Sequence, residues 1–380
     1  MSKIPYSLSY FGEKEIAAVN DLLANPSHLT SETYTKLCRD FLKNYYQREM
    51  LVTHSCTAAL EMSALLLNIQ PGDEVILPSF TFVSTANAFA LFGARLVFVD
   101  IQKDTLNMDP LALEAAITPK TKAIVVMHYA AVACDMAAIC AIADAKGIPI
   151  VEDAAQCIGA QFNGKYLGTF GKLGTLSFHH TKNITAGLGG ALIINDEALI
   201  DRAKVICQKG TNRDAFIEGL VDKYTWQDLG SSYVMNEFGA AVLLGQLERM
   251  DVINKNRQTI WQQFHEGLVD IEKWGYSRPS VPKGSLHNAH IYYLIAPTEQ
   301  EGTQLRQFLA SQGITAPHHY IPLHLSPAGK KFGKPVESLP VCESIYKRIV
   351  RLPLWEGFTG IEAVIGAIYK AQSTSASLVV

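Results

Sequence analysis

Between residues 51 and 207 short apolar runs alternate with amphipathic ones, and this alternation constrains the fold more than any other property of the chain. Glu74-Val-Ile-Leu, Arg95-Leu-Val-Phe-Val, Ala123-Ile-Val-Val-Met and Ile148-Pro-Ile-Val read as buried strands. Helical patterns near residues 58–68, 82–92, 110–117 and 135–146 lie between them, which predicts βαβ units and a mainly parallel sheet covered on both faces. Ligands of such a sheet bind beyond the carboxyl ends of its strands. Asp100, His128 and the pair Glu152-Asp153 stand at three of those ends.

A chain of 380 residues, 48% hydrophobic and 18% charged, is long enough for two packed domains. Residues 1–245 are expected to form the larger domain and residues 246–380 the smaller. A helix expected over about residues 237–267 joins them, and the smaller domain holds the strand-like His290-Ile-Tyr-Tyr-Leu-Ile and the polar loop His318-His-Tyr-Ile-Pro-Leu-His. A net charge of -3 and a pI near 6.4 provide no basic field for nucleic acid or an anionic membrane, so neither partner is expected. The seven cysteines lack C-x-x-C spacing, which suits a reduced cytoplasm. Met1-Ser-Lys-Ile-Pro-Tyr-Ser has no apolar core, and His128 and Asp135 interrupt the most apolar stretch, so no targeting or membrane-spanning segment is expected. His179, His180, His318, His319 and His324 show no convincing ligand set, and no metal is expected.

Lys182, in Ser177-Phe-His-His-Thr-Lys-Asn, follows Asp153 by 29 residues. An amine at one strand end and a carboxylate at another are what pyridoxal phosphate (PLP) chemistry requires. The amine bonds the cofactor in a desolvated pocket, and the carboxylate keeps the pyridine nitrogen protonated. The bland alternatives are an exposed loop lysine and an ordinary ion-paired aspartate. Gln156 lies three residues beyond Asp153, within reach of the cofactor's phenolic oxygen. Ser55, Cys56 and Thr57 open an apolar helix, where they serve either as ordinary caps or as a phosphate cradle. Phe82 reads either as a core aromatic or as a ring stacked on the cofactor.

Together, Ser55-Cys-Thr-Ala-Ala-Leu, Pro78-Ser-Phe-Thr-Phe-Val-Ser-Thr-Ala-Asn, Val97-Phe-Val-Asp, Val151-Glu-Asp-Ala-Ala-Gln and Ser177-Phe-His-His-Thr-Lys-Asn resemble the DegT/StrS family of nucleotide-sugar aminotransferases, over about residues 10–370. The resemblance implies an α/β, fold-type I aminotransferase with a mixed, mostly parallel seven-stranded sheet and a smaller C-terminal α+β domain. It also implies a PLP cofactor and a homodimer with the active site at the subunit interface. Lys182 would be the Schiff-base lysine, Asp153 the pyridinium partner, Gln156 the contact to the phenolic oxygen and Phe82 the stacking ring. Ser55, Cys56, Thr57 and Ser177 would hold the phosphate, with Ser232 at the place where many members supply an asparagine from the second subunit.

Lys209-Gly-Thr-Asn-Arg-Asp-Ala-Phe, the run from Val221 to Tyr233, Asn288-Ala-His-Ile-Tyr-Tyr and His319-Tyr-Ile-Pro-Leu-His resemble the members acting on dTDP-4-keto-6-deoxyglucose, with L-glutamate as amino donor. Lys209, Asn212, Arg213 and Tyr320 are the candidates for nucleotide-sugar contacts, Arg213 reading equally as a diphosphate clamp or a solvated loop arginine. Two positions depart from the family pattern. Leu188 stands where a glutamate is usual, either altering acceptor binding or serving as buried packing, and Leu29-Thr-Ser-Glu-Thr-Tyr replaces a glycine-rich turn.

Overall fold

The computed structural model describes residues 3–334 and 338–376, and for residues 374–376 the backbone alone. Seven strands form the main sheet: β1 (Glu49–Thr53), β2 (Glu74–Pro78), β3 (Arg95–Val99), β4 (Thr121–Met127), β5 (Ile150–Asp153), β6 (Leu173–Ser177) and β7 (Gly190–Ile194). Their order across the sheet is β1-β7-β6-β5-β4-β2-β3. β7 runs antiparallel to both its neighbours, and the other pairings are parallel. The sheet is therefore mixed and mostly parallel, as expected.

Strand side chains alternate between faces, and each continuous apolar run divides accordingly. Val75, Leu77, Val125, Met127 and Val151 join one cluster with the helices Cys56–Leu66 and Val83–Ala90. Ile76, Val97, Ile124, Val126 and Ile150 join a cluster on the other face with Met136 and Ile139 of the helix Met136–Lys146. Each such side chain, fully buried, contributes roughly 1.5–3 kcal/mol, which is why a two-sided sheet needs unbroken apolar runs.

The expected helix over residues 237–267 is two helices, Glu237–Leu247 and Met250–Gly267. Arg249, at φ -110° and ψ 5°, leaves helical geometry between them. The turn is tied to the helix Glu13–Ala24 by Glu248 to Lys14 at 2.6 Å and Arg249 to Glu15 at 2.8 Å. A third cluster, made of residues between 260 and 371, packs around an antiparallel pair, β8 (Tyr292–Ile295) and β9 (Ile349–Leu352). Among the described residues no helix is long and apolar enough to cross a membrane.

Candidate active site

The site lies at the carboxyl ends of β4, β5 and β6 and the start of the helix Cys56–Leu66. Ser55 caps that helix, its Oγ accepting the Ala58 N–H at 3.1 Å. Capping is thus what the Ser55 side chain does, while the first N–H groups of the helix have no partner within it and point outward, an arrangement suited to phosphate. The β7 backbone presses against this start: a Cβ on Gly190 would lie 2.3 Å from the Cys56 nitrogen. Thr57 Oγ1 meets Ser84 Oγ at 2.8 Å. Ser177, buried at the end of β6 opposite Gly190, accepts the His179 N–H at 3.4 Å.

Asp153 ends β5 and is 4% exposed. Thr85 Oγ1 donates to its Oδ2 at 2.6 Å, the Ala155 N–H donates to its Oδ1 at 3.1 Å, and Thr81 Oγ1 lies 2.8 Å from Thr85 Oγ1. These bonds hold the carboxylate in one orientation before any ligand arrives. Beside it, Glu152 accepts the N–H groups of Gly168 at 2.8 Å and Gly171 at 2.7 Å, and faces His128 Nε2 at 3.0 Å. His128 Nδ1 accepts the Cys134 N–H, so the ring's proton sits on Nε2 and is donated to Glu152. That pair braces the ends of β4 and β5 from behind.

Lys182 lies in the turn after β6 and keeps partial exposure. Its amine is held below the usual lysine range by burial; the charge of Asp153 works against that shift and the charge of Arg351 adds to it. More of the amine is therefore the free base at a given pH. The next residue anchors the turn: Asn183 Nδ2 donates to the Asn288 carbonyl at 2.8 Å and to Asn254 Oδ1 at 3.1 Å, and His290 Nδ1 donates to Asn183 Oδ1 at 3.0 Å.

Gln156 is held at both ends, its Oε1 accepting the Ala130 N–H at 2.7 Å and its Nε2 donating to Tyr320 Oη at 2.9 Å. Ala130 and Ala131 take left-handed φ values of 56° and 64°, a strained bend that turns the first of these N–H groups toward Gln156. Tyr320 stacks on His319 with centroids 3.7 Å apart, and His319 Nδ1 lies 2.7 Å from Tyr129 Oη. Burial keeps His319 well below the ordinary histidine range, so its ring is neutral. Phe82 is 54% exposed and 6.2 Å from Tyr320, whereas Phe80, 1% exposed, is the core aromatic of that loop.

Lys182, Asp153, Gln156, Tyr320 and Cys56 therefore gather in one pocket; the charges of Asp153 and Lys182 act on Cys56, whose thiol burial pushes up. Thr85, Tyr129 and Arg351 join them without having been singled out from the sequence, as does His319, weighed there only as a metal ligand. Lys209, Asn212, Arg213 and Ser232 are placed otherwise. Arg213 pairs with Glu32 at 2.7 Å, and Asn212 holds the loop at Lys223 and Thr225. Ser232 is exposed and bridges to Gln208. No hydrogen bond or ion pair among the described residues joins these four to Lys182, Asp153 or Gln156. Leu188 is 57% exposed, which overturns buried packing as its explanation.

An amine, a fixed carboxylate, a helix start without side-chain obstruction and an exposed ring fit PLP. The helix start would take the phosphate, Asp153 the ring nitrogen and Lys182 the aldehyde carbon. Among the described residues no group of three or more His, Cys, Asp or Glu side chains is placed to hold a metal.

A model of the DegT/DnrJ/EryC1/StrS aminotransferase family matches residues 9–368. The spore coat polysaccharide biosynthesis protein SpsC of Bacillus subtilis is 33% identical over 375 residues, 96% of each chain. The aminotransferase TlmJ of Streptoalloteichus hindustanus superposes with a TM-score of 0.88 at 28% identity, covering 98% of this chain and 100% of that one. Spr1654 of Streptococcus pneumoniae, solved in its PMP form, superposes with a TM-score of 0.89 at 26% identity, covering 98% of this chain and 99% of that one.

Proposed function

The chain belongs to the DegT/DnrJ/EryC1/StrS family and is a PLP-dependent sugar aminotransferase, and from that premise we propose that it moves an amino group from L-glutamate to C4 of dTDP-4-keto-6-deoxyglucose. The product is dTDP-4-amino-4,6-dideoxygalactose, used in building cell-surface polysaccharide. The observation that carries the chemistry is the buried Lys182 amine within the field of the Asp153 carboxylate, itself fixed by Thr85 and Ala155. The runs around residues 209–233, 288–293 and 319–324 support the choice of sugar, and the likeness to a polysaccharide biosynthesis protein supports the setting.

When bound, PLP supplies an electron sink and carries the amino group between the two half-reactions. Lys182 Nζ takes the proton from the donor's α-carbon and, in the second half-reaction, delivers one to sugar C4. The face from which it does so sets whether the new amine is axial or equatorial. Asp153 keeps the proton on the ring nitrogen, and Gln156 steadies the phenolic oxygen.

The large unit at residues 1–245 carries the cofactor, and the third cluster, whose buried members lie between residues 260 and 371 with Ile4 packed against them, supports treating residues 246–380 as a smaller unit. A homodimer completes the site: Lys209, Asn212, Arg213 and Ser232, which do not reach Lys182 in their own chain, serve the partner's pocket. Incubation of the purified protein with PLP, L-glutamate and dTDP-4-keto-6-deoxyglucose, with the product identified by NMR, tests the reading. An axial 4-amine is expected. An equatorial amine, or conversion of 3-keto or UDP-linked sugars instead, would reassign the acceptor.

A further inference from the structure

The turn that carries Lys182 is held by the next residue, Asn183, which is buried and has every side-chain polar atom bonded to another segment. Its Nδ2 donates to the Asn288 carbonyl and to Asn254 Oδ1, which leaves its Oδ1 to accept. The proton of the 3.0 Å contact with His290 therefore sits on the imidazole Nδ1. Asn254 is oriented in turn, its Nδ2 donating to the Ile158 carbonyl at 3.1 Å.

Asn288 and His290 lie in the segment just before β8. Asn288 Nδ2 donates to the carbonyls of Gln156 at 2.9 Å and Ile158 at 3.0 Å, so this segment holds the backbone of Gln156 as well as the lysine turn. Ala289, between them, takes a left-handed φ of 52°, which bends the chain. Arg257, buried on the helix Met250–Gly267, closes that bend by donating to the carbonyls of Ala289 at 3.2 Å and His290 at 2.7 Å. A non-glycine residue stays in that region only where its surroundings over-determine it, and the arginine does so here.

His290 is buried, and burial holds its ring well below the ordinary histidine range; the charges of Lys182, Arg257 and Arg351 work in the same direction, so the ring is neutral. Its Nε2 has no hydrogen-bond partner among the described residues. The one hydrogen bond of the ring among those residues is thus made to the neighbour of the reactive lysine.

We propose that His290 is a positioning residue for Lys182, acting through Asn183 to keep the lysine turn closed and its amine in the buried pocket. The inference rests on the reading above that Lys182 is the amine that takes the cofactor. An uncharged ring carries the effect, so losing it changes how water reaches the amine and not the charge around it. A loosened turn admits water, and the amine returns toward ordinary lysine behaviour.

The test compares wild type with His290→Ala, His290→Asn and His290→Gln. An asparagine amide stands where Nδ1 does and can donate to Asn183, whereas a glutamine amide stands where Nε2 does. Lys182 of the cofactor-free protein is labelled by reductive methylation across a range of pH and counted by mass spectrometry, and capture of PLP is followed by absorbance. In His290→Ala the midpoint of labelling moves toward base, capture slows about three- to tenfold, and kcat falls by a similar factor while KM for L-glutamate moves less than about twofold. His290→Asn restores most of this, and His290→Gln does not. Rescue by glutamine alone would place the effect at Nε2 and overturn the proposal, as would a wild-type midpoint and kcat in His290→Ala. Should the alanine variant fail to fold, the other two decide, and equal midpoints in them count against a role through Asn183. If Lys182→Ala still captures PLP normally, the assignment of the lysine has failed, and the labelling midpoint still decides whether His290 holds its turn.

Discussion

The pocket around Asp153 and the segment from Lys209 to Ser232 differ in what holds their functional groups. Asp153 and Gln156 have both side-chain polar atoms bonded to neighbours from the same chain. The segment from 209 to 232 carries Leu220, Trp226 and Leu229 at 73%, 76% and 65% exposure, and its polar residues mostly bond to one another. The first region is preorganised by one chain, and the second leaves three large apolar side chains in water. The contrast teaches that the Asp153 region is held by its own chain, whereas the second region is where the proposed dimer would add its contacts.

Lys182→Ala should separate the regions most sharply: it abolishes turnover and the cofactor's bound-state absorbance while leaving the oligomeric state in sedimentation unchanged, and retained multiple turnover would sink the assignment. Asp153→Asn should lower kcat by at least about a hundredfold, read in steady state, with the fold unchanged by circular dichroism. Arg213→Ala acts on the other region, raising KM for the nucleotide sugar about tenfold with the glutamate half-reaction unaffected; an equal loss in both half-reactions would erase the proposed division.

Thr85→Val removes one bond to Asp153 and should cost about three- to tenfold in kcat. The smallest effect is a shift in pH dependence. Because burial depresses the Lys182 amine, capture of PLP by the cofactor-free protein should rise with pH and level off below the usual lysine value. The Asp153 charge raises that amine's pKa, so Asp153→Asn should move the midpoint of capture toward acid, and a shift toward base would contradict the assigned contact.

Much of the first region was legible because each strand announces its end. An apolar run that stops at a polar residue places that residue at the end of a strand, and Asp153 was found that way, while Lys182 was found from the run Ser177-Phe-His-His-Thr-Lys that follows a strand-like segment. Tyr129, His319 and Arg351 were not, since β9 is only four residues long, with Arg351 inside Ile-Val-Arg-Leu, and its facing side depends on pairing with β8. Phe80 and Phe82 are equally aromatic and two residues apart, and only the packed loop shows which is buried. The single helix expected over residues 237–267 failed at Arg249 because its apolar periodicity carries across a turn held by Glu15 and Lys14, residues far away in the chain.

The sequence by itself determined the βαβ alternation, a mainly parallel sheet and the carboxylate at a strand end, because burial on both faces and the strand period of two are local requirements that composition must satisfy. Only the tertiary structure decided which side chains hold Asp153 and Gln156, that Leu188 is exposed, and that Arg351 has no carboxylate partner among the described residues. Those outcomes depend on contacts between residues that local pattern cannot relate, such as Arg351 with Tyr6 or Gln156 with Tyr320.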